Sequence, residues 1–154
     1  MRLEKKMEKP RVLFLCTQNS ARSQMAEAFL RAHAGDHFEI FSAGLEPSQV
    51  HPMAIQVMKE KGISMEGHYS KPLSEFLGKL HFSYLITVCA RAETRCPIFP
   101  GMGTRLAWPF EDPAEAQESG QKQLEKFREV RDAIEEKIKS WLTELDLSSF
   151  ISER

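Results

Sequence analysis

Between Pro10 and Cys89 the chain alternates short apolar runs with segments of helical period, and that alternation restricts the fold more than any other feature. "RVLFL" (11 to 15) has the composition of a buried strand, and Ser23 to Ala34 then sets Met25, Ala28, Phe29 and Ala32 at helical spacing before Gly35. "FEIFSAG" (38 to 44) reads as a second strand, "HPMAIQVMKEKG" (51 to 62) as a helix with a glycine stop, and "FSYLITVC" (82 to 89) as a third strand. Residues 90 to 120 read as irregular, with a short strand near "RLAW". Residues 121 to 145 then form an amphipathic helix with a stripe of Leu124, Phe127, Val130, Ile134, Ile138, Trp141 and Leu145. Strands that feed helices and return parallel make right-handed crossovers, so the expectation is an α/β fold with a parallel sheet covered on both faces. Ligands of such sheets sit at the carboxyl ends of strands, where Cys16 and Cys89 both fall.

The 154 residues suit one domain, expected over 11–147 between flexible tails at 1–10 and 148–154. Lys plus Arg number 21 and Asp plus Glu 22, so no overall field recommends nucleic acid or an anionic membrane as partner, and any anion site must be local. No run approaches the roughly 18 apolar residues of a membrane span, and the N-terminal "MRLEKKMEKP" has no apolar core; the reading is a cytoplasmic protein. Three cysteines, Cys16, Cys89 and Cys96, make an odd count that argues against a static disulfide framework, and their spacing fits zinc poorly. The five histidines (33, 37, 51, 68 and 81) show no ligand spacing and read as surface or capping residues.

The first strand opens into "CTQNSARS". Thr17, Gln18, Asn19, Ser20 and Ala21 are small or amide-bearing, so successive backbone N–H groups can curl around an oxyanion while the helix that follows adds its positive end. Arg22 supplies a bidentate fork, and the same field favours the Cys16 thiolate. Asn19 can take the left-handed backbone conformation that a glycine-free loop needs, and the hydroxyls of Ser20 and Ser23 lie near enough in sequence to donate to the sulfur. Cys89 and Arg95 repeat the cysteine-to-arginine spacing, but "ARAET" between them carries a glutamate and favours helix, which opposes an anion cradle. In "WPFEDPAEA", Glu111 and Asp112 offer a carboxyl that could protonate a leaving oxygen, and Asp112 is held extended by the proline after it.

These residues resemble the low-molecular-weight protein tyrosine phosphatase fold family, through the cysteine-x5-arginine-serine loop and the late Asp-Pro. Within it they look closest to the thioredoxin-coupled arsenate reductases, through "VLFLCTQNSARSQMAE", "FSAG", "VCARAETRCPIFPG" and "EDPAEA". The resemblance implies a three-layer α/β sandwich around a parallel four-stranded sheet. It implies Cys16 as attacking thiolate, Arg22 as oxyanion binder, Asp112 as general acid, and Cys89 and Cys96 as relay thiols recycled by thioredoxin. The substrate would be arsenate or a phosphate-like oxyanion, the chain a monomer, and no cofactor required beyond a monovalent cation, potassium, at positions matching Asn19, Glu27 and Ser42.

Two other readings stay open at this stage. A tyrosine or small-molecule phosphatase would need Cys16, Arg22 and Asp112 and would leave Cys89 and Cys96 as inert core thiols. A non-enzymatic redox sensor would use the thiols as a binding switch. For the relay, "ARAETR" as helix would separate Cys89 and Cys96 by about 10 Å at 1.5 Å rise per residue, beyond the roughly 7 Å a disulfide tolerates between Cα atoms. Bonding them then requires that turn to melt, with Pro97, Pro100, Gly101 and Gly103 downstream leaving it weakly anchored.

Overall fold

β1 (Arg11–Cys16) holds Val12, Leu13, Phe14 and Leu15 at 0 % exposure, so both of its faces are covered. It pairs in parallel with β2 (Glu39–Gly44) on one side and β3 (Phe82–Thr87) on the other, and β4 (Met102–Ala107) completes an all-parallel sheet in the order β2-β1-β3-β4. The register sets Val12 beside Tyr84 and Phe14 beside Ile86, while Leu13 lies between Phe41 and Leu85. With a side-chain period of two, these rows point to opposite faces. The computed structural model describes residues 9–96, 102–115 and 120–147. The expected tails therefore fall, apart from residues 9 and 10, outside the described residues, as do Pro97, Pro100 and Gly101.

Helices α1 (Arg22–Ala34), α2 (Pro52–Glu60) and α4 (Gln121–Glu144) pack on one another, and the short α3 (Ala90–Arg95) lies against β1 and β3. The predicted stripe of α4 is the buried one, with Leu145 half-buried at its end. Trp141 stacks on Phe38 at 5.5 Å and meets Tyr84 and Trp108 edge-on. Each large apolar side chain removed from water in this way contributes about 1.5–3 kcal/mol. Among the described residues no helix is long and apolar enough to cross a membrane.

Three expectations need correction. The fourth strand begins at Met102, earlier than "RLAW" suggests, and Gly103 belongs to it: a Cβ there would lie 2.6 Å from the Ser83 carbonyl oxygen, so only glycine lets β4 approach β3. β3 ends at Thr87, and Cys89 is the N-cap of α3 rather than a strand residue. His33 is buried, not superficial, because α1 is enclosed on nearly every side; its Nε2 lies 3.1 Å from Glu135 of α4, which Lys61 holds at 3.0 Å.

Candidate active site

The loop between β1 and α1 is built from outside. The carbonyl oxygens of Cys16, Thr17, Gln18 and Ser20 accept from the backbone N–H groups of Leu45, Glu46, Ser48 and His51, at 2.7 to 3.2 Å. In a trans peptide the N–H of the next residue points the opposite way. Thr17, Gln18, Asn19 and Ala21 therefore turn their donors inward, toward a common centre at the start of α1. Asn19 takes φ 52°, the left-handed conformation expected of it. Gly44 closes the base of the loop: a Cβ there would stand 2.8 Å from the Asn19 nitrogen and 2.9 Å from the Thr17 oxygen.

Cys16 ends β1 at 2 % exposure. Its Sγ is 3.0 Å from the Ser23 hydroxyl. The neighbours fix the Asn19 amide that meets Ser23. The Lys71 backbone N–H can only donate, and it donates to Asn19 Oδ1 at 2.9 Å, which turns the Asn19 NH₂ toward Ser23 Oγ at 2.7 Å and Ser42 Oγ at 3.0 Å. With its oxygen accepting from Asn19, Ser23 keeps its own proton available to the sulfur. Gln24 secures Asn19 from behind, donating to Oδ1 at 3.0 Å, and accepts from His68 Nδ1 at 2.9 Å. Burial pushes the His68 pKa down, consistent with a neutral ring serving as donor at Nδ1.

Above the loop a cleft of about 340 Å³ is lined by Cys16, Arg22, His51, Cys89 and Asp112 among others. Thr17, Gln18, Ser20 and Ala21 also face it, whereas the side chains of Asn19 and Ser23 are fully buried behind the loop, where they act on its shape and on the sulfur. Arg22 donates to the Phe110 carbonyl at 3.0 Å and stands 3.4 Å from the Asp112 carboxylate. Asp112 Oδ1 accepts from Ala114 N–H at 3.0 Å, which fixes the carboxyl at the cleft rim. Glu111 points elsewhere, to Lys126 at 3.3 Å, so of the two acidic neighbours only Asp112 serves the cleft. His51 caps α2 through Nδ1, which accepts from Met53 N–H. Burial lowers its pKa, partly opposed by Asp112.

The other two thiols bracket α3. Cys89 accepts from Ala92 N–H at 3.3 Å, as the N-cap, and lies 3.4 Å from the Thr17 hydroxyl of the loop. Cys96 is the C-cap, 8 % exposed, and burial pushes its thiol pKa up. No disulfide joins Cys16, Cys89 and Cys96 to one another. Arg105 of β4 ties down α3 by donating to the Glu93 carbonyl at 2.6 Å, and Thr87 holds the Glu93 carboxylate at 2.6 Å. The helix is thus better anchored than its downstream glycines suggest.

The profile described as low molecular weight phosphotyrosine protein phosphatase matches residues 11–149. The chain belongs to this family. Among its relatives is an arsenate reductase of Halalkalibacterium halodurans, 39 % identical over 136 residues that cover 88 % of this chain and 96 % of that protein. A solved structure titled as an arsenate reductase in the phosphate binding state superposes with a TM-score of 0.74 at 32 % identity, covering 88 % of this chain and 98 % of that one. A thioredoxin-dependent arsenate reductase of Corynebacterium glutamicum superposes at 0.67 with 28 % identity, over 91 % of this chain and 63 % of the other.

In this member of the phosphatase family the residues expected to hold potassium do come together, but with the Lys71 ammonium beside them they do not fit a second cation. Ser42 Oγ donates to Glu27 at 2.5 Å and accepts from Asn19; Glu27 Oε2 is bound to Arg31 at 2.8 Å; and Asn19 Oδ1 is taken by two N–H donors. The Lys71 ammonium stands 3.4 Å from the same Ser42 oxygen. Lys71 and Gln24 are the residues that sequence reasoning passed over, and His68, read as a surface or capping residue, is bonded to Gln24 instead. Lys71 and His68 lie in "HYSK", which reads as an ordinary polar loop, and nothing in its local pattern indicates contact with residues 19 to 42.

Proposed function

We propose that the chain is an arsenate reductase that reduces arsenate to arsenite through a three-thiol relay and draws its electrons from thioredoxin or a similar dithiol protein. The observation that carries this reading is Cys89. A phosphate-ester hydrolase needs a nucleophile, an anion cradle and an acid; a second thiol in the wall of the same cleft, with Thr17 beside it, serves only a reaction that must expel its product by forming a disulfide.

In this mechanism arsenate sits on the inward N–H groups, and Arg22 leaves Phe110 and Asp112 to clamp its oxygens. Cys16 attacks arsenic(V) while Asp112, protonated, delivers its proton to the departing hydroxyl, which leaves as water. Cys89 then attacks the Cys16 sulfur. The electron pair of the S–As bond stays on arsenic, which departs as arsenite, As(III), and a Cys16–Cys89 disulfide remains. Cys96 attacks Cys89, Cys16 leaves as thiolate, and the Cys89–Cys96 disulfide is reduced by the external dithiol. Two electrons pass from thiols to arsenic in each cycle. The test is arsenate-dependent oxidation of NADPH in the presence of thioredoxin and thioredoxin reductase; slow phosphate-ester hydrolysis without such coupling would favour the phosphatase reading.

Asp112→Asn is expected to slow the first chemical step about 10²- to 10⁴-fold. Phosphate affinity measured by calorimetry should change little, because the cradle is backbone and Arg22. An equal loss in Glu111→Gln with none in Asp112→Asn would reassign the acid.

The relay also demands motion. α3 keeps its capping thiols a helix apart, and Cys96 is buried with a raised pKa, so it is a poor nucleophile until the helix unwinds. Amide exchange should show protection at residues 90 to 95 falling on oxidation while β1, β3 and α4 stay protected. Equal protection in both redox states would refute the switch. Arg105→Ala, which removes the clamp on Glu93, should raise exchange in α3 already in the reduced protein.

A further inference from the structure

Beneath the loop, on the side away from the cleft, lies a buried polar cluster whose Glu27 and Lys71 also line a second cavity, with Arg31, His68 and Glu75. Asn19 and Ser42 are 0 % exposed, Glu27 6 % and Lys71 7 %. A buried carboxylate is costly unless positive charge stands close to it. Arg31 meets one oxygen of Glu27, but its side chain is half exposed and reaches across to the Ile40 carbonyl. The other oxygen accepts from Ser42, and the cation nearest that hydroxyl is Lys71.

Lys71 is held there by more than charge. Its backbone N–H donates to Asn19 Oδ1, its carbonyl accepts from Gly44 N–H at 2.8 Å, and its ammonium donates to the Tyr69 carbonyl at 2.7 Å while lying 4.7 Å from the centre of the Tyr69 ring. Burial lowers its pKa and the Glu27 carboxylate opposes that effect, as for an ammonium sharing a partly dry site with its counter-charge.

We infer that the Lys71 ammonium is the resident cation of this site, standing where family resemblance would place a monovalent metal ion, so that the loop is held in shape without potassium. Lys71 is a positioning residue: its ammonium bonds Ser42 and its backbone N–H bonds Asn19, which meets both Ser42 and the Ser23 hydroxyl beside the Cys16 sulfur. Glu27, Ser42 and Asn19 keep their arrangement because a tethered charge replaces a diffusible one, and no ion has to be recruited. A potassium ion added to the same cluster would meet a like charge beside the Ser42 oxygen.

The inference stands on the geometry of the cluster and not on the identity of the substrate, and its test reads stability rather than turnover. Thermal unfolding is compared in potassium, sodium and choline chloride at equal ionic strength. Wild type should melt at the same temperature in all three. Lys71→Met, which keeps the apolar stem and removes the charge, should melt several degrees lower in choline, and potassium should recover most of the loss, since an ion that binds only the folded state stabilises it by mass action. Specific stabilisation of wild type by potassium would overturn the inference, as would a Lys71→Met chain that is destabilised yet indifferent to potassium, or one as stable as wild type in choline. Charge coupling gives a second readout. Glu27→Gln should destabilise wild type but stabilise Lys71→Met, because in the variant it removes a buried carboxylate that has lost a counter-charge. The same sign in both backgrounds would show that Lys71 acts by packing alone and would also overturn it. Should Lys71→Met fail to fold in choline, folding on addition of potassium upholds the inference, and failure in both salts overturns it.

Discussion

Cys16→Ser is expected to reduce arsenate turnover and any side hydrolysis of phosphate esters to background, a loss on the order of 10⁶-fold, as in other enzymes stripped of their nucleophile. Both chemistries begin with the same sulfur, at the head of a loop in which the carbonyls of Cys16, Thr17, Gln18 and Ser20 are engaged from outside, so that the N–H groups that follow them turn inward. Serine fits the space and can keep the Ser23 contact, but a hydroxyl in the same position is far less ionised than a thiol. The cradle remains, because it is made of backbone N–H groups and Arg22. Phosphate binding by calorimetry should therefore survive, and its survival separates lost chemistry from lost structure. Normal turnover by this variant would remove Cys16 from the mechanism.

The parts legible in the sequence are those written locally. The β1-loop-α1 unit carries its own signal, since an apolar run, five small residues and a helical period are contiguous, and the positive φ of Asn19 follows from the absence of glycine in the loop. Asp112 is legible through the proline after it, but that it rather than Glu111 lines the cleft shows only in the structure, where Lys126 draws Glu111 away. What sequence cannot show is written across long separations. Gly44 looks like a strand end and proves to be the contact that lets β2 approach residues 17 to 19. Lys71 meets Asn19 and Ser42 from a segment 52 and 29 residues away, through bonds without periodicity. His33 belongs to a polar contact between α1 and α4 that exists only after the helices pack. The anchoring of α3 is another such case, because Arg105 and Thr87 reach Glu93 from two different strands.

The second large effect concerns the thiols that bracket α3. Cys89→Ser and Cys96→Ser should each abolish multiple turnover with thioredoxin while leaving phosphate-ester hydrolysis near the wild-type rate, because hydrolysis requires only the loop, Arg22 and Asp112. The two variants should fail at different points. Without Cys89 the Cys16–arsenic adduct has no neighbouring thiol to displace it, since Cys96 is buried at the far end of the helix, and little arsenite should form. Without Cys96 the first exchange still proceeds. One equivalent of arsenite should appear in a single burst, and both remaining thiols, Cys16 and Cys89, should be consumed in a disulfide. Thiol titration and mass mapping after one turnover read this directly. Intact coupled turnover in either variant would break the relay and raise the phosphatase reading. A burst of equal size in both variants would mean that Cys89 and Cys96 are interchangeable, which the geometry opposes: only Cys89 lines the cleft with Cys16, beside Thr17, while Cys96 reaches the reaction after α3 unwinds.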